Sequence, residues 1–200
     1  IESGSKKWEI GAYFKEKPNA AELYLLEIVF DIKFSVSKVP LKDWVSHVRR
    51  QLTPVLAGRF IIFGAHDENK IPLNYYKLKI EAAMAFGTGH HGTTLGCLLA
   101  LNDIKKLGIN INNVADIGCG TGVLAMAAVA AFSARVIASD IDPVAVKTTK
   151  INVIENGYNS SIISVKASGF RHVEILKRAP FDLIFANILE KPLKSLARNM

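Results

Sequence analysis

The run Asp116-Ile117-Gly118-Cys119-Gly120-Thr121-Gly122 combines an acid with glycines at alternate positions. Glycine in such a run lets the backbone turn tightly and lets a ligand approach the main chain. A second acid, Asp140, follows at the end of the next apolar run, in Ser139-Asp140-Ile141-Asp142-Pro143. A carboxylate at that place suits both hydroxyls of a ribose, so the two features together read as a nucleotide site. The bland alternative is a tight turn followed by an aspartate capping a helix. Dinucleotide folds space their glycines G-x-G-x-x-G to seat a pyrophosphate. Here the third glycine comes one residue early, which counts against a nicotinamide-dependent oxidoreductase.

A loop of this kind needs a strand before it and a helix after it. The pattern predicts a strand over Val114 to Ile117, a helix over Gly122 to Phe132 and a strand over Arg135 to Ser139. A helix follows from Pro143 to Asn156, with proline in its first turn and Gly157 as its stop signal. Strands at Ile162 to Val165 and Phe181 to Ala186 follow, and a last helix opens at Lys191. Upstream, a helix is expected over Thr94 to Leu107, and strands over Phe60 to Phe63 and Leu78 to Ala85. Ala65 to Pro72 reads as a polar turn. Strands alternating with helices imply an α/β fold with a doubly wound, mainly parallel, Rossmann-like sheet. Before this core, Trp8 to Phe14, Pro18-Asn19 to Phe30, and Ile32 to Val36 read as strand, helix and strand of a small α+β domain. Leu41 to Leu52 reads as an amphipathic helix joining the two. The expected domains are therefore 1–40, a linker helix within 41–56, and 57–200.

The chain has 200 residues, half of them apolar, enough to bury a core without disulfides or metals. Its two cysteines, Cys97 and Cys119, fit no zinc or redox spacing, so a reducing, cytoplasmic setting is the natural expectation. No apolar run is long enough to cross a bilayer, and no signal peptide is visible. The net charge of +7 comes from scattered Lys and Arg, which are usual on solvated faces, so no nucleic-acid partner is inferred from it. The adjacent pair His90-His91 has no third ligand nearby and reads as polar loop rather than metal site. Cys119 reads as a small buried residue rather than a nucleophile, and Trp44 as packing.

Two further motifs make the reading specific. Ala85-Phe86-Gly87-Thr88-Gly89-His90-His91-Gly92-Thr93-Thr94 precedes the glycine loop, and Asn187-Ile188-Leu189-Glu190-Lys191-Pro192-Leu193 follows the strand Phe181 to Ala186. Acid-x-G-x-G-x-G resembles the first motif of class I methyltransferases. With Asp140-Ile141-Asp142-Pro143, the ordered set resembles the bacterial ribosomal protein L11 methyltransferases, from about Asp43-Trp44 to the carboxyl end. That resemblance implies S-adenosylmethionine as cofactor, with Thr94, Gly118, Gly120, Asp140 and Asn187 binding it. It implies Asn187 as the group that orients the attacking amine, although an asparagine there could instead cap the next helix. Asp116 either faces the ammonium group of the aminoacid tail or bonds loop amides, and Phe86 either stacks on the adenine or anchors its loop. The implied substrates are lysine ε-amines and the terminal α-amine of ribosomal protein L11, gripped by the amino-terminal domain; no direct nucleic acid contact is required. Within enzymes, methyl transfer to another protein, a nucleic acid or a small molecule is the runner-up. Gly92 stands where the family often has proline, and Glu190-Lys191 replaces small residues, which touches substrate detail. The family's sheet needs more strands after the last helix, so the chain is expected to be incomplete at both ends.

Overall fold

A computed structural model describes residues 2–3, 7–8, 12, 14–38, 54–80 and 92–197. The chain divides into two compact units, Ile1–Lys42 and Asp43–Met200. The first holds the strand pair β1 (Glu2–Ser3) and β2 (Lys7–Trp8), antiparallel, and the helix α1 (Ala20–Phe30). Asn19 starts α1: its side chain accepts a hydrogen bond from the Ala21 N–H at 2.9 Å, satisfying one of the amide donors that a helix start leaves open. Residues 32–38 carry no strand, contrary to the alternation of Ile32, Phe34 and Val36. The Phe34 N–H instead donates to the Glu27 carboxylate at 2.8 Å, so a helix side chain takes a donor that a ladder would have used. The expected strand over Trp8 to Phe14 and the helix over Leu41 to Leu52 lie largely or wholly outside the described residues.

The second unit contains two sheets. The smaller is β3 (Val55–Ala57), β4 (Phe60–Phe63) and β5 (Tyr76–Lys79). β3 and β4 form an antiparallel hairpin, and β5 lies parallel to β4. Sequence reading missed β3, a three-residue strand too short to show a period. The segment read as a turn is a 3-10 helix over Ala65–Lys70.

Then come α2 (Gly92–Lys106), β6 (Asn113–Ile117), α3 (Val123–Phe132), β7 (Arg135–Asp140), α4 (Pro143–Glu155), β8 (Ile162–Lys166), α5 (Val173–Leu176), β9 (Leu183–Phe185) and α6 (Glu190–Leu196). The larger sheet has the order β8-β7-β6-β9, all neighbours parallel. Side chains alternate across it as the pleat demands. Val114, Val136 and Ala138 point into a core shared with Leu98 and Leu101 of α2, most of α3 and the small sheet. Ala115, Ile117 and Ile137 point the other way, against Ile175 of α5 and Leu196 of α6. The sheet is thus covered on both faces, the arrangement that parallel strands require. The chain steps outward from β6 to β7 to β8, then returns to place β9 on the other side of β6. The crevice between the carboxyl ends of β6 and β9 is therefore the switch point at which such sheets bind ligands.

Candidate functional site

The glycine loop follows β6 into that crevice. Gly118, Gly120 and Gly122 all have positive φ, at 78°, 56° and 78°. An L side chain rarely adopts such angles, which is why glycine recurs at alternate positions. The Gly118 and Cys119 N–H groups both donate to the Ser139 carbonyl, at 2.7 and 3.0 Å, and tie the loop to the end of β7. Gly118 also leaves room for a neighbour, since a Cβ there would collide with the Ile188 side chain. Ile188 follows Asn187, so this contact seats the segment after β9 directly on the loop after β6.

Thr94, in the first turn of α2, is wholly buried, and its hydroxyl accepts a hydrogen bond from Asn187 Nδ2 at 3.1 Å. With one of its two amide N–H donors on Thr94, Asn187 has its Oδ1 as acceptor. Asp140 closes the group. One of its oxygens accepts from the Gly120 N–H at 3.0 Å and the other from the Asp142 N–H at 3.0 Å. A carboxylate oxygen has two lone-pair sites, so both oxygens keep acceptor capacity toward a vicinal diol. Of the five residues expected to bind a cofactor, Thr94 is bonded to Asn187, Gly118 packs against the adjoining Ile188, and Gly120 is bonded to Asp140. The Gly120 N–H donates to Asp140, so this glycine lies directly against the carboxylate expected to meet the cofactor.

Asp116 is 1% exposed and accepts from the Ala125 N–H of α3 at 3.1 Å. Its partner is an amide of α3 rather than of the loop, so the bond is structural without being the loop contact expected. Burial pushes its carboxyl up to about 7, the Ala125 bond opposes this, and the nearby Asp140 charge adds to it. Burial likewise pushes the Cys119 thiol far above its usual value, which fits a packed residue rather than a nucleophile. Asp142 caps α4, accepting from the Val144 N–H at 2.8 Å.

Sequence reading missed the face of α4 that meets the loop. Thr149 donates to the Gly120 carbonyl at 3.0 Å, and Asn152 to the Thr121 carbonyl at 2.9 Å. Asn156 brackets Lys79 of β5, accepting from its N–H at 2.8 Å and donating to its carbonyl at 2.7 Å. A polar stripe at i, i+3 and i+7 was the available signal, and helical spacing places such residues on one face. Trp44, Phe86, His90 and His91 lie outside the described residues. Among the described residues, no group of three or more His, Cys, Asp or Glu could hold a metal, and no helix is long and apolar enough to cross a membrane.

A strand-end carboxylate with acceptor capacity left on both oxygens suits the vicinal diol of a nucleoside. Comparison with known proteins points the same way. The family model described as Ribosomal protein L11 methyltransferase (PrmA) matches residues 2–200. A protein of that name from Bradyrhizobium diazoefficiens is 42% identical over 201 residues, covering 97% of this chain and 67% of its own length. Another, from Agrobacterium fabrum, is 46% identical over 159 residues, covering 80% of this chain and 54% of its own. The crystal structure of a ribosomal protein L11 methylase from Lactobacillus delbrueckii subsp. bulgaricus superposes with a TM-score of 0.63 at 28% identity, over 74% of this chain and 72% of that one. The chain thus spans roughly half to two thirds of the length of these curated relatives.

Proposed function

This chain belongs to the ribosomal protein L11 methyltransferase family, and on that premise we propose that it carries the site that moves methyl groups from S-adenosylmethionine to lysine ε-amines and the terminal α-amine of ribosomal protein L11. When bound, S-adenosylmethionine supplies a methyl carbon already activated by its sulfonium. The protein then needs no covalent nucleophile, only alignment, and alignment can supply much of the rate. Asp140 is the proposed ribose partner. Thr94, Gly118 and Asn187 are proposed to hold the cofactor around the crevice, with Gly120 acting through Asp140. The Asn187 Oδ1 accepts an N–H bond from the incoming amine and aims its lone pair. A lysine amine, with a free pKa of about 10.4, must first lose a proton. A desolvated site beside a cationic cofactor lowers that value and favours the neutral amine.

The observation that carries this reading is the meeting of Asn187 with Thr94 and, through Ile188, with Gly118 at the switch point of the sheet. The domain at 1–40 is proposed to grip the protein substrate, with the joint in 41–56 letting one site reach separated amines. The site at 57–200 needs no nucleic acid, and a ribosomal-protein substrate sets the activity in the cytoplasm.

Calorimetric titration with S-adenosylmethionine and with a nicotinamide dinucleotide, followed by a methylation assay on ribosomal protein L11, tests the proposal. Binding of the dinucleotide alone would overturn it. Asn187→Ala is expected to lower kcat more than it weakens cofactor affinity. Equal losses would make Asn187 a cofactor ligand only.

A further inference from the structure

Resting on that reading, we propose that Thr149 is a positioning residue of the methyl-donor site, acting through the conformation of Gly120 on the carboxylate of Asp140. Gly120 is held on both sides of its Cα: its N–H donates to Asp140 Oδ2 at 3.0 Å, and its carbonyl, in the following peptide, accepts from Thr149 Oγ1 at 3.0 Å. Thr149 is wholly buried and has a single hydroxyl proton, which the Gly120 carbonyl takes. The Cys119 thiol, 3.3 Å away, is then the donor to Thr149 Oγ1, so the hydroxyl cannot rotate freely. Its methyl group lies against Gly122, where a Cβ would sit 2.7 Å from Thr149 Cγ2. One side chain thereby sets a carbonyl between the first two turns of the loop and the spacing at its third glycine.

The consequence reaches Asp140. The two bonds hold the peptide planes on either side of the Gly120 Cα, so the Thr149 hydroxyl limits rotation of the residue whose N–H fixes one carboxylate oxygen, while the Asp142 N–H fixes the other. Asn152 repeats the device one turn on, holding the Thr121 carbonyl, so α4 and the loop are registered at successive peptides.

The test compares Thr149→Val, which keeps the shape and loses the hydroxyl, with Thr149→Ser, which keeps the hydroxyl. S-Adenosylmethionine affinity, kcat at saturating cofactor and the thermal midpoint are measured in the full chain. Val is expected to weaken cofactor binding about five- to tenfold, the value of one hydrogen bond, while saturated kcat stays within about twofold. Ser is expected to restore affinity. If Val does not fold, Thr149→Ala against Thr149→Ser isolates the same hydroxyl with the methyl absent from both. Variants with and without the hydroxyl that bind equally well, whatever their thermal midpoints, would overturn the role of Thr149. An unaltered chain that fails to bind S-adenosylmethionine would overturn the functional reading and this inference with it.

Discussion

Two helices of this chain are both largely apolar and have opposite fates. α1 is AAELYLLEIVF and α3 is VLAMAAVAAF. In α3, eight of ten residues are buried. In α1 none is, and Val29 is 70% exposed. Both form, because helix formation answers to local signals: Asn19 caps α1, and a left-handed glycine, Gly122, starts α3. Burial answers to what lies alongside. α3 fills the space between the parallel sheet, α2 and the small sheet, and its alanines let those elements approach. The difference teaches that apolar content makes a helix available for a core, and that neighbours decide whether it enters one.

The sharpest way to break this comparison is truncation in each helix. Met126→Ala, in the centre of α3, is expected to cost about 2–5 kcal/mol by leaving a cavity. A loss under about 1 kcal/mol, measured by urea unfolding, would mean that α3 is not the keystone described. At the site that α3 supports, Asp140→Ala is expected to weaken S-adenosylmethionine binding about a hundredfold. The substitution would remove the two charge-assisted bonds proposed to ribose, together about 3 kcal/mol or more. An unchanged dissociation constant by calorimetry would remove Asp140 from the site.

A smaller effect sharpens the contrast from within the core. Asp116 titrates near 7 when folded and near 3.8 when unfolded. Between those values the folded state binds the extra proton, so stability falls as pH rises from about 4 to about 7 and then levels. Asp116→Asn can still accept from Ala125 and does not titrate. Its stability relative to the parent is expected to climb over that window, by on the order of 1 kcal/mol or more. Parallel curves at pH 4.5 and pH 8 would show that Asp116 is not desolvated. The smallest effect belongs to α1, where Val29→Ala is expected to shift stability by less than about 0.5 kcal/mol and leave cofactor affinity unaltered. A large loss of stability would show that the face is covered in solution.

Much of this site was legible because its signals are local. Glycines mark positive φ at Gly118, Gly120 and Gly122, Asp140 is marked by its strand end, and Asn187 by the motif after β9. Apart from the one-turn helix α5 (Val173–Leu176), too short to show a period and missed in the sequence, strand and helix positions from Val114 to Phe185 follow from apolar periodicity and stop signals, which act within a few residues. The strand expected at Ile32 to Val36 failed because alternation states which face is apolar and says nothing about a partner.

Other features depended on tertiary structure. Asn187 meets Thr94 across 93 positions of chain, and Asn156 meets Lys79 across 77. Such pairs are set by strand order and register, which no local pattern encodes. The same is true of Gly120, whose N–H was spent on Asp140, and of Asp116, whose burial followed from the face of β6 that turned toward α3. The sequence by itself determined that a nucleotide loop, a strand-end acid and a family signature were present. Only the folded sheet decided which atoms remained free to act, because hydrogen-bond capacity is assigned by whatever each group meets in space.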